Sequence, residues 1–281
     1  MLCKIGEVEV WRILDMNGPF LTPEDLFPNA GPDVARIFAD LVPGGLCAQT
    51  GKLILPIQGF LLKTPAHLIL VDACVGNDKT VPGLPDWHQR SDTRFMAALT
   101  AAGVTPDDVD YVLCTHLHTD HIGWNTRLED GRWVPTFPNA RYLLPAADEE
   151  VPRVRGSDFY RESVLPVIEA GQAEMVTEGH ALGDEVTLIP TPGHTPGHVS
   201  VRVRNGGAEA IITGDALHTT AQCFHPEWHF KFDVDAPRAV SSRIALLQDA
   251  CESGATVLGS HFALPSLGRV RADGKGFRWE P

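Results

Sequence analysis

The chain has no run of roughly 18 or more consecutive apolar residues, so nothing in it reads as a membrane-spanning helix. Its opening residues, MLCKIGEVEVWRILD, lack the uninterrupted apolar core of a signal peptide, and the expectation is a cytoplasmic protein. Cysteine is sparse. Cys3, Cys47, Cys74, Cys114, Cys223 and Cys251 are scattered with no C-x-x-C spacing, which favours reduced, mostly buried thiols over a disulfide framework. Positive charge is also in short supply: Lys and Arg number 23 against 36 Asp and Glu, a formal net charge of −13. A negative field of that size repels phosphate backbones and argues against a nucleic-acid partner. There is no internal repeat, no low-complexity linker and no sharp change in composition.

What is present is ordinary for a globular chain of 281 residues, with 43% hydrophobic and 21% charged residues. The pattern predicts one α/β domain spanning 1–281. Strands are expected at 8–14, 52–63, 67–73, 110–115, 140–145, 185–191, 198–204, 209–215 and 256–261, with the second and third joined as a hairpin through Thr64-Pro65-Ala66. Helices are expected within 32–42 and at 91–103, 157–171 (with a kink at Pro166) and 236–254. Residues 17–51 are rich in Pro and Gly. Long loops are expected at 76–90 and 216–235, and a short tail after 261.

The stretch CTHLHTDHIGW (114–124) places His116, His118, Asp120 and His121 within six positions, directly after an apolar strand. On a helix these positions would point to several sides. On a loop leaving a strand, the first pair can face one point and the second pair another, which suits two metal ions side by side. A solvated histidine-rich loop is the plainer alternative, and the rest of the chain weighs against it. His194 in TPGHTPGH, Asp215 in IITGDALH and His261 in VLGSH each stand just past an apolar strand, next to small residues. Ligands of nitrogen and oxygen type suit Zn²⁺, Mn²⁺, Fe²⁺ or Co²⁺.

This set, in this order, resembles the metallo-β-lactamase superfamily of binuclear metal hydrolases. The resemblance implies a four-layer αββα sandwich of two mixed β-sheets. It implies that His116, His118 and His194 hold one ion, that Asp120, His121 and His261 hold a second, and that Asp215 bridges them. Zinc is the first expectation for both ions. A metal-bridging hydroxide would then attack a carbonyl or phosphoryl centre, because bound water reaches a pKa of about 7. Asp120 would accept or relay a proton. Cys114 is expected to be core rather than nucleophile. A structural zinc site is disfavoured, since such sites are usually four-coordinate and cysteine-rich. A redox reading as a one-iron sulfur dioxygenase keeps a similar motif and stays open.

The segment GDALHTTAQCFHPEWHFKFDVDAPRA (214–239) resembles the branch of methyl parathion hydrolases and quorum-quenching lactonases. In acyl-homoserine lactonases a tyrosine stands three residues after the bridging aspartate; here that slot is His218, a candidate catalytic group for substrate or for a neighbouring carboxylate. Trp87, Phe224, His225 and Trp228 are candidate pocket residues, with His229, Phe230, His88, Phe20 and Phe27 behind them; the alternative is that the loop aromatics only anchor the loop. The short sequence after His261 disfavours a glutathione thiolesterase, and the charge disfavours an RNA-processing enzyme. The expectation is hydrolysis of a lactone or related carboxylic ester, with a phosphotriester as the alternative substrate. The resemblance allows residues 17–51 a role as a lid or dimer arm, and allows a homodimer.

Overall fold

Apolar strands that read as continuous hydrophobic runs are those buried on both faces, and ILPIQGFLLK is of this kind. The computed structural model describes residues 1–177, 179–274 and 276–281. They fall into two units, Met1–Asp15 with Ile57–Thr177 and Met16–Pro56 with Glu178–Pro281.

In chain order the first strands are β1 (Cys3–Ile5), β2 (Val8–Pro19), β3 (Ile54–Lys63), β4 (Leu68–Val71) and β5 (Tyr111–Leu113). A small separate hairpin follows, β6 (Thr126–Glu129) with β7 (Arg132–Pro135), and then β8 (Arg141–Pro145) and β9 (Ala173–Val176). The first sheet has the order β1-β2-β3-β4-β5-β8-β9 and is mixed. β3 and β4 are antiparallel, and the Thr64 hydroxyl accepts the N–H groups of Ala66 and His67, which builds the expected hairpin turn. From β4 to β9 the neighbours are parallel. The helix Arg94–Ala101 lies in the connection before β5 and buries Phe95 and Leu99.

The second sheet lies in the second unit. Its order is β10 (Ala181–Leu182), β11 (Val186–Pro190), β12 (Val199–Asn205), β13 (Ala208–Ile212), β14 (Thr256–Leu258), β15 (Leu267–Asp273) and β16 (Gly276–Glu280). Only β13 and β14 pair in parallel, in the register Ile212 with Leu258. The helix Ala236–Ser253 connects them. Asp235 caps it by accepting the Arg238 N–H, and Gly254 ends it in the left-handed conformation at φ 66°.

Several elements differ from expectation. The helix expected over 157–171 is two, Asp158–Ser163 and Leu165–Glu169, because Pro166 has no N–H to continue the ladder. The residues after 261 are not a plain tail but the paired strands β15 and β16. The β6–β7 hairpin was not expected, although Asp130 and Gly131 take the paired positive φ that such tight turns need.

Residues 17–51 carry two short helices, Pro23–Leu26 and Val34–Leu41. Phe27, Val34 and Phe38 pack in one apolar cluster with Trp228 and Phe230 of the 216–235 loop. Three backbone-centred hydrogen bonds fix that contact: Lys231 N–H to Leu26 O, Asn29 Nδ2 to Glu227 O, and His229 N–H to Asn29 Oδ1. The six cysteines are free, with Cys74, Cys114 and Cys223 buried. Among the described residues no helix is long and apolar enough to cross a membrane.

Candidate metal centre

In the first unit, β4 and β5 run parallel with Val71 opposite Leu113, so the residues just beyond them leave at one edge. Asp72 is the first residue past β4. It sits at φ 62°, a strained position for a non-glycine that is common where function fixes the backbone. Its Oδ1 accepts the Thr115 N–H at 2.8 Å, and its Oδ2 accepts the Thr115 hydroxyl at 3.0 Å. The same Oδ2 takes Nδ1–H of His121 at 2.9 Å. With its proton on Asp72, the Thr115 hydroxyl is left to accept Nδ1–H of His116 at 3.1 Å. His116 Nε2 then faces Nδ1 of His118 at 3.0 Å. Asp120 and His121 share the helical turn Thr119–Ile122, with Asp120 Oδ2 3.8 Å from His121 Nε2. His116 and His121 are buried, whereas His118 and Asp120 are half-buried.

In the second unit the β13–β14 register explains another convergence. Asp215 and His261 each stand three residues past the paired Ile212 and Leu258. His261 Nε2 lies 3.1 Å from Asp215 Oδ1. The turn 191–198 between β11 and β12 brings His194 to the same carboxylate, with Nε2 3.2 Å from Asp215 Oδ2. Gly193 in that turn has φ 133°, and a Cβ there would meet the backbone nitrogen of Ala239 at 2.1 Å. Only glycine lets the helix Ala236–Ser253 approach so closely. His198, in the same turn, accepts the Asp215 N–H on Nε2 at 2.8 Å and hydrogen-bonds Thr191 Oγ1 through Nδ1 at 2.8 Å.

The chemistry of this donor set fits divalent metal ions. His261 Nδ1 is 2.8 Å from Pro56 O, and a carbonyl can only accept, so the proton is on Nδ1. The lone pair of Nε2 then points at a carboxylate oxygen. Nδ1 of His194 is likewise committed, to Asp233 Oδ1 at 2.9 Å, while its Nε2 faces Asp215. Together with His116 and His121, that makes four imidazoles whose Nδ1 proton is held by an oxygen while Nε2 is turned outward. Oxygen partners that fix the tautomer are what metal-ligating histidines have. Lone pairs facing lone pairs need a cation between them, a proton in the metal-free chain or a metal ion in its place. Burial would depress the pKa of His194, but Asp215 and Asp233 outweigh it and push it up to about 9. That is the signature of a nitrogen sitting in a strongly negative field.

His218 behaves differently. Burial pushes its pKa down to about 4 against the pull of Asp215, so the ring is neutral. Nε2 lies 3.1 Å from Asp215 Oδ2, and Phe230 stacks on the ring at 3.5 Å between centroids. Of the two expected roles, contact with a neighbouring carboxylate is the one this geometry has. The other loop residues are placed as follows. His225 stacks on Trp228 at 4.3 Å, Trp228 packs on Phe27, and Phe224 packs against the apolar cluster that includes Leu217, Leu246 and Phe262. Phe230, rather than these, lies over His218 and His194; Phe232 lies 5.5 Å from Phe230, and Phe20 lies 6.5 Å from Phe232, between ring centroids. Trp87 and His88 belong to the first unit, where the 76–90 loop folds back on itself: Trp87 N–H donates to Leu84 O and His88 Nδ1 accepts the Val81 N–H. Cys114 is core, with burial pushing its thiol pKa up.

Sequence reasoning missed Asp72, His198 and Asp233. His198 stands in view in TPGHTPGH, and Asp233 in the D-x-D before the helix; neither was given a partner. Asp72 carries no local signal.

With the geometry in hand, comparisons with known proteins place the chain. A model of the metallo-beta-lactamase superfamily matches residues 55–249, more than half of the chain. An N-acyl homoserine lactonase of Bacillus cereus is 28% identical over 222 residues, covering 75% of this chain and 80% of that protein. A solved structure of AidC, a dizinc quorum-quenching lactonase, superposes with a TM-score of 0.80 at 21% identity, covering 99% of this chain and 96% of that one. A probable metal-dependent hydrolase from Staphylococcus aureus gives 0.82 at 18% identity, with 99% and 98% covered. The two mixed sheets described above are those of the shared fold, as the α/β expectation required. The chain belongs to the metallo-beta-lactamase superfamily.

Proposed function

We propose that this protein is a binuclear metal-dependent hydrolase that opens a lactone or a related carboxylic ester. One observation carries the two-metal reading: Asp215 turns Oδ2 to His194 and Oδ1 to His261. A carboxylate divided in this way suits a bridge between two ions. The proposed ligands are His116, His118 and His194 for one ion, and Asp120, His121 and His261 for the other. Two pairings inside the first unit support this grouping, since the donor atoms of His116 and His118 lie within 4.8 Å of each other, as do those of Asp120 and His121. Zinc is the proposed metal at both sites. Divalent ions held there supply Lewis acidity and hydroxide at neutral pH.

The chain's own groups account for the remaining tasks. Asp72, Asp233 and Pro56 O hold imidazole tautomers. His218 donates Nε2–H to Asp215 and keeps that carboxylate oriented. Asp120, half-buried, would take the proton of the attacking hydroxyl and hand it to the departing alkoxide as the ring C–O bond breaks. The aromatic series Phe230, Phe232 and Phe20 offers an apolar wall beginning at His218, suited to an acyl substituent. Residues 17–51 are proposed to form part of that wall, as a cover anchored on Trp228 and Phe230. The lactonase relatives at 28% identity favour a lactone over other esters. A small molecule, rather than a macromolecule, is the proposed substrate.

A pH-stat assay tests this reading. Metal-loaded protein is given N-acyl lactones, aryl esters, a β-lactam and a phosphotriester, with chelator-stripped protein as control. Metal-dependent acid release, fastest on lactones, is expected. Faster turnover of the phosphotriester would replace the lactone assignment. No acid release on any of them, with oxygen uptake on a persulfide, would replace hydrolysis by the redox alternative.

A further inference from the structure

Arg243 is fully buried on the helix Ala236–Ser253. Its Nε–H donates to Ala216 O at 2.8 Å, and Nη1 donates to Pro226 O at 3.0 Å and to Trp228 O at 2.8 Å. Nη2 reaches Asp233 Oδ2 at 3.4 Å. Three acceptors are therefore carbonyls spread along the 216–235 loop. The fourth is the carboxylate whose other oxygen holds Nδ1 of His194. Asp233 Oδ2 also accepts the N–H of Phe230, whose ring stacks on His218. Gln222 closes the network: its Oε1 accepts the His218 N–H and its Nε2 donates to Trp228 O, the carbonyl that Arg243 also uses.

A cation is costly to bury, and the guanidinium is offset here by four acceptors that match its planar set of donors. An ammonium carries its donors on a point charge and cannot span three carbonyls and a carboxylate at once. The acceptors are not a random sample of the surroundings. Each belongs to the loop that carries the proposed apolar wall, and one also fixes a proposed metal ligand.

We propose that Arg243 is a positioning residue that sets the 216–235 loop and, through Asp233, the ring of His194 as one piece. Affinity for the ion at His194 and recognition of the acyl part of the substrate then change together when it is altered. This rests on the two-metal lactonase reading. The competing view is that Arg243 only holds the fold together.

The test uses the full chain as Arg243→Lys, Asp233→Asn and the double variant. Zinc affinity is measured by competition with a chromophoric chelator, and KM and kcat on short- and long-chain N-acyl lactones. Each single variant is expected to weaken zinc binding roughly 10- to 100-fold. Arg243→Lys is expected to raise KM more for the long-chain substrate than for the short one. The double variant is expected to bind zinc no worse than the weaker single, because both cut the same connection. Wild-type zinc affinity in Arg243→Lys with only a lowered Tm overturns the proposal, as does full additivity in the double variant. Should Arg243→Lys not fold, Asp233→Asn decides alone: weaker zinc with a raised KM supports the coupling, and weaker zinc with unchanged KM overturns it. A wild-type protein that binds no zinc overturns the metal reading and this proposal together; wild-type binding with indifferent variants overturns the proposal only.

Discussion

At the scale of single residues, the candidate site is organised by buried groups that stand behind the proposed ligands, Asp72 among them. Asp72 accepts from Thr115 twice and from His121 once, so it orients His121 directly and His116 through the Thr115 hydroxyl. Replacing it with asparagine keeps the volume but puts two donors where Oδ2 accepts two. Asp72→Asn is therefore expected to lower metal affinity by roughly 10- to 100-fold. It is also expected to cost about 1–3 kcal/mol of stability for the donors left unpaired in the interior. Chelator competition and urea unfolding measure the two effects; full affinity in a folded Asp72→Asn protein contradicts the role. Four of the seven proposed ligands are legible because they cluster in sequence: H-x-H-x-D-H needs no fold to be noticed, and His194, Asp215 and His261 stand out only as residues that follow apolar strands. Asp72 was not legible, because an aspartate after LILV looks like any strand-end residue and its target His121 is 49 positions away. Arg243 was hidden in the same way, as one cation on an amphipathic helix.

At the scale of elements, the edge of the second sheet works because turns and helix start fit closely. Gly193 shows how little room there is: a Cβ would sit 2.1 Å from Ala239 N and 2.4 Å from its Cα, and φ is 133°. Backbone cannot step aside as a flexible side chain can. Gly193→Ala is expected to destabilise the fold by about 1–3 kcal/mol or more and to weaken metal binding at His194. Gly18→Ala, which meets nothing within 4 Å, should leave both near wild type. Comparable urea midpoints for the two variants would show that the close approach does not matter. The strands that lead to the proposed ligands are legible in the sequence as apolar runs. The β6–β7 and β15–β16 hairpins were not, since TRLEDGRWVP and the C-terminal RADGKGFRWE mix charges with aromatics and lack a clean apolar face. Helix 157–171 was read as one because the helical pattern continues across Pro166; the proline's missing N–H decided otherwise.

At the scale of the whole molecule, the residue pattern reads as one α/β domain, and the family resemblance implies two sheets without their strand order. In the first sheet β5 and β8 are parallel neighbours although β6 and β7 intervene, and in the second β13 and β14 pair across an 18-residue helix. Such pairings have no local signature, which is why the order had to come from the structure. In the proposed function, Asp215 joins two ions into one hydrolytic centre. Elemental analysis of the purified wild type and of Asp215→Ala, run beside the lactone assay, tests it most directly. About two divalent ions per chain are expected in the wild type and fewer in the variant, with hydrolysis abolished. Two ions and full activity retained in Asp215→Ala would contradict it.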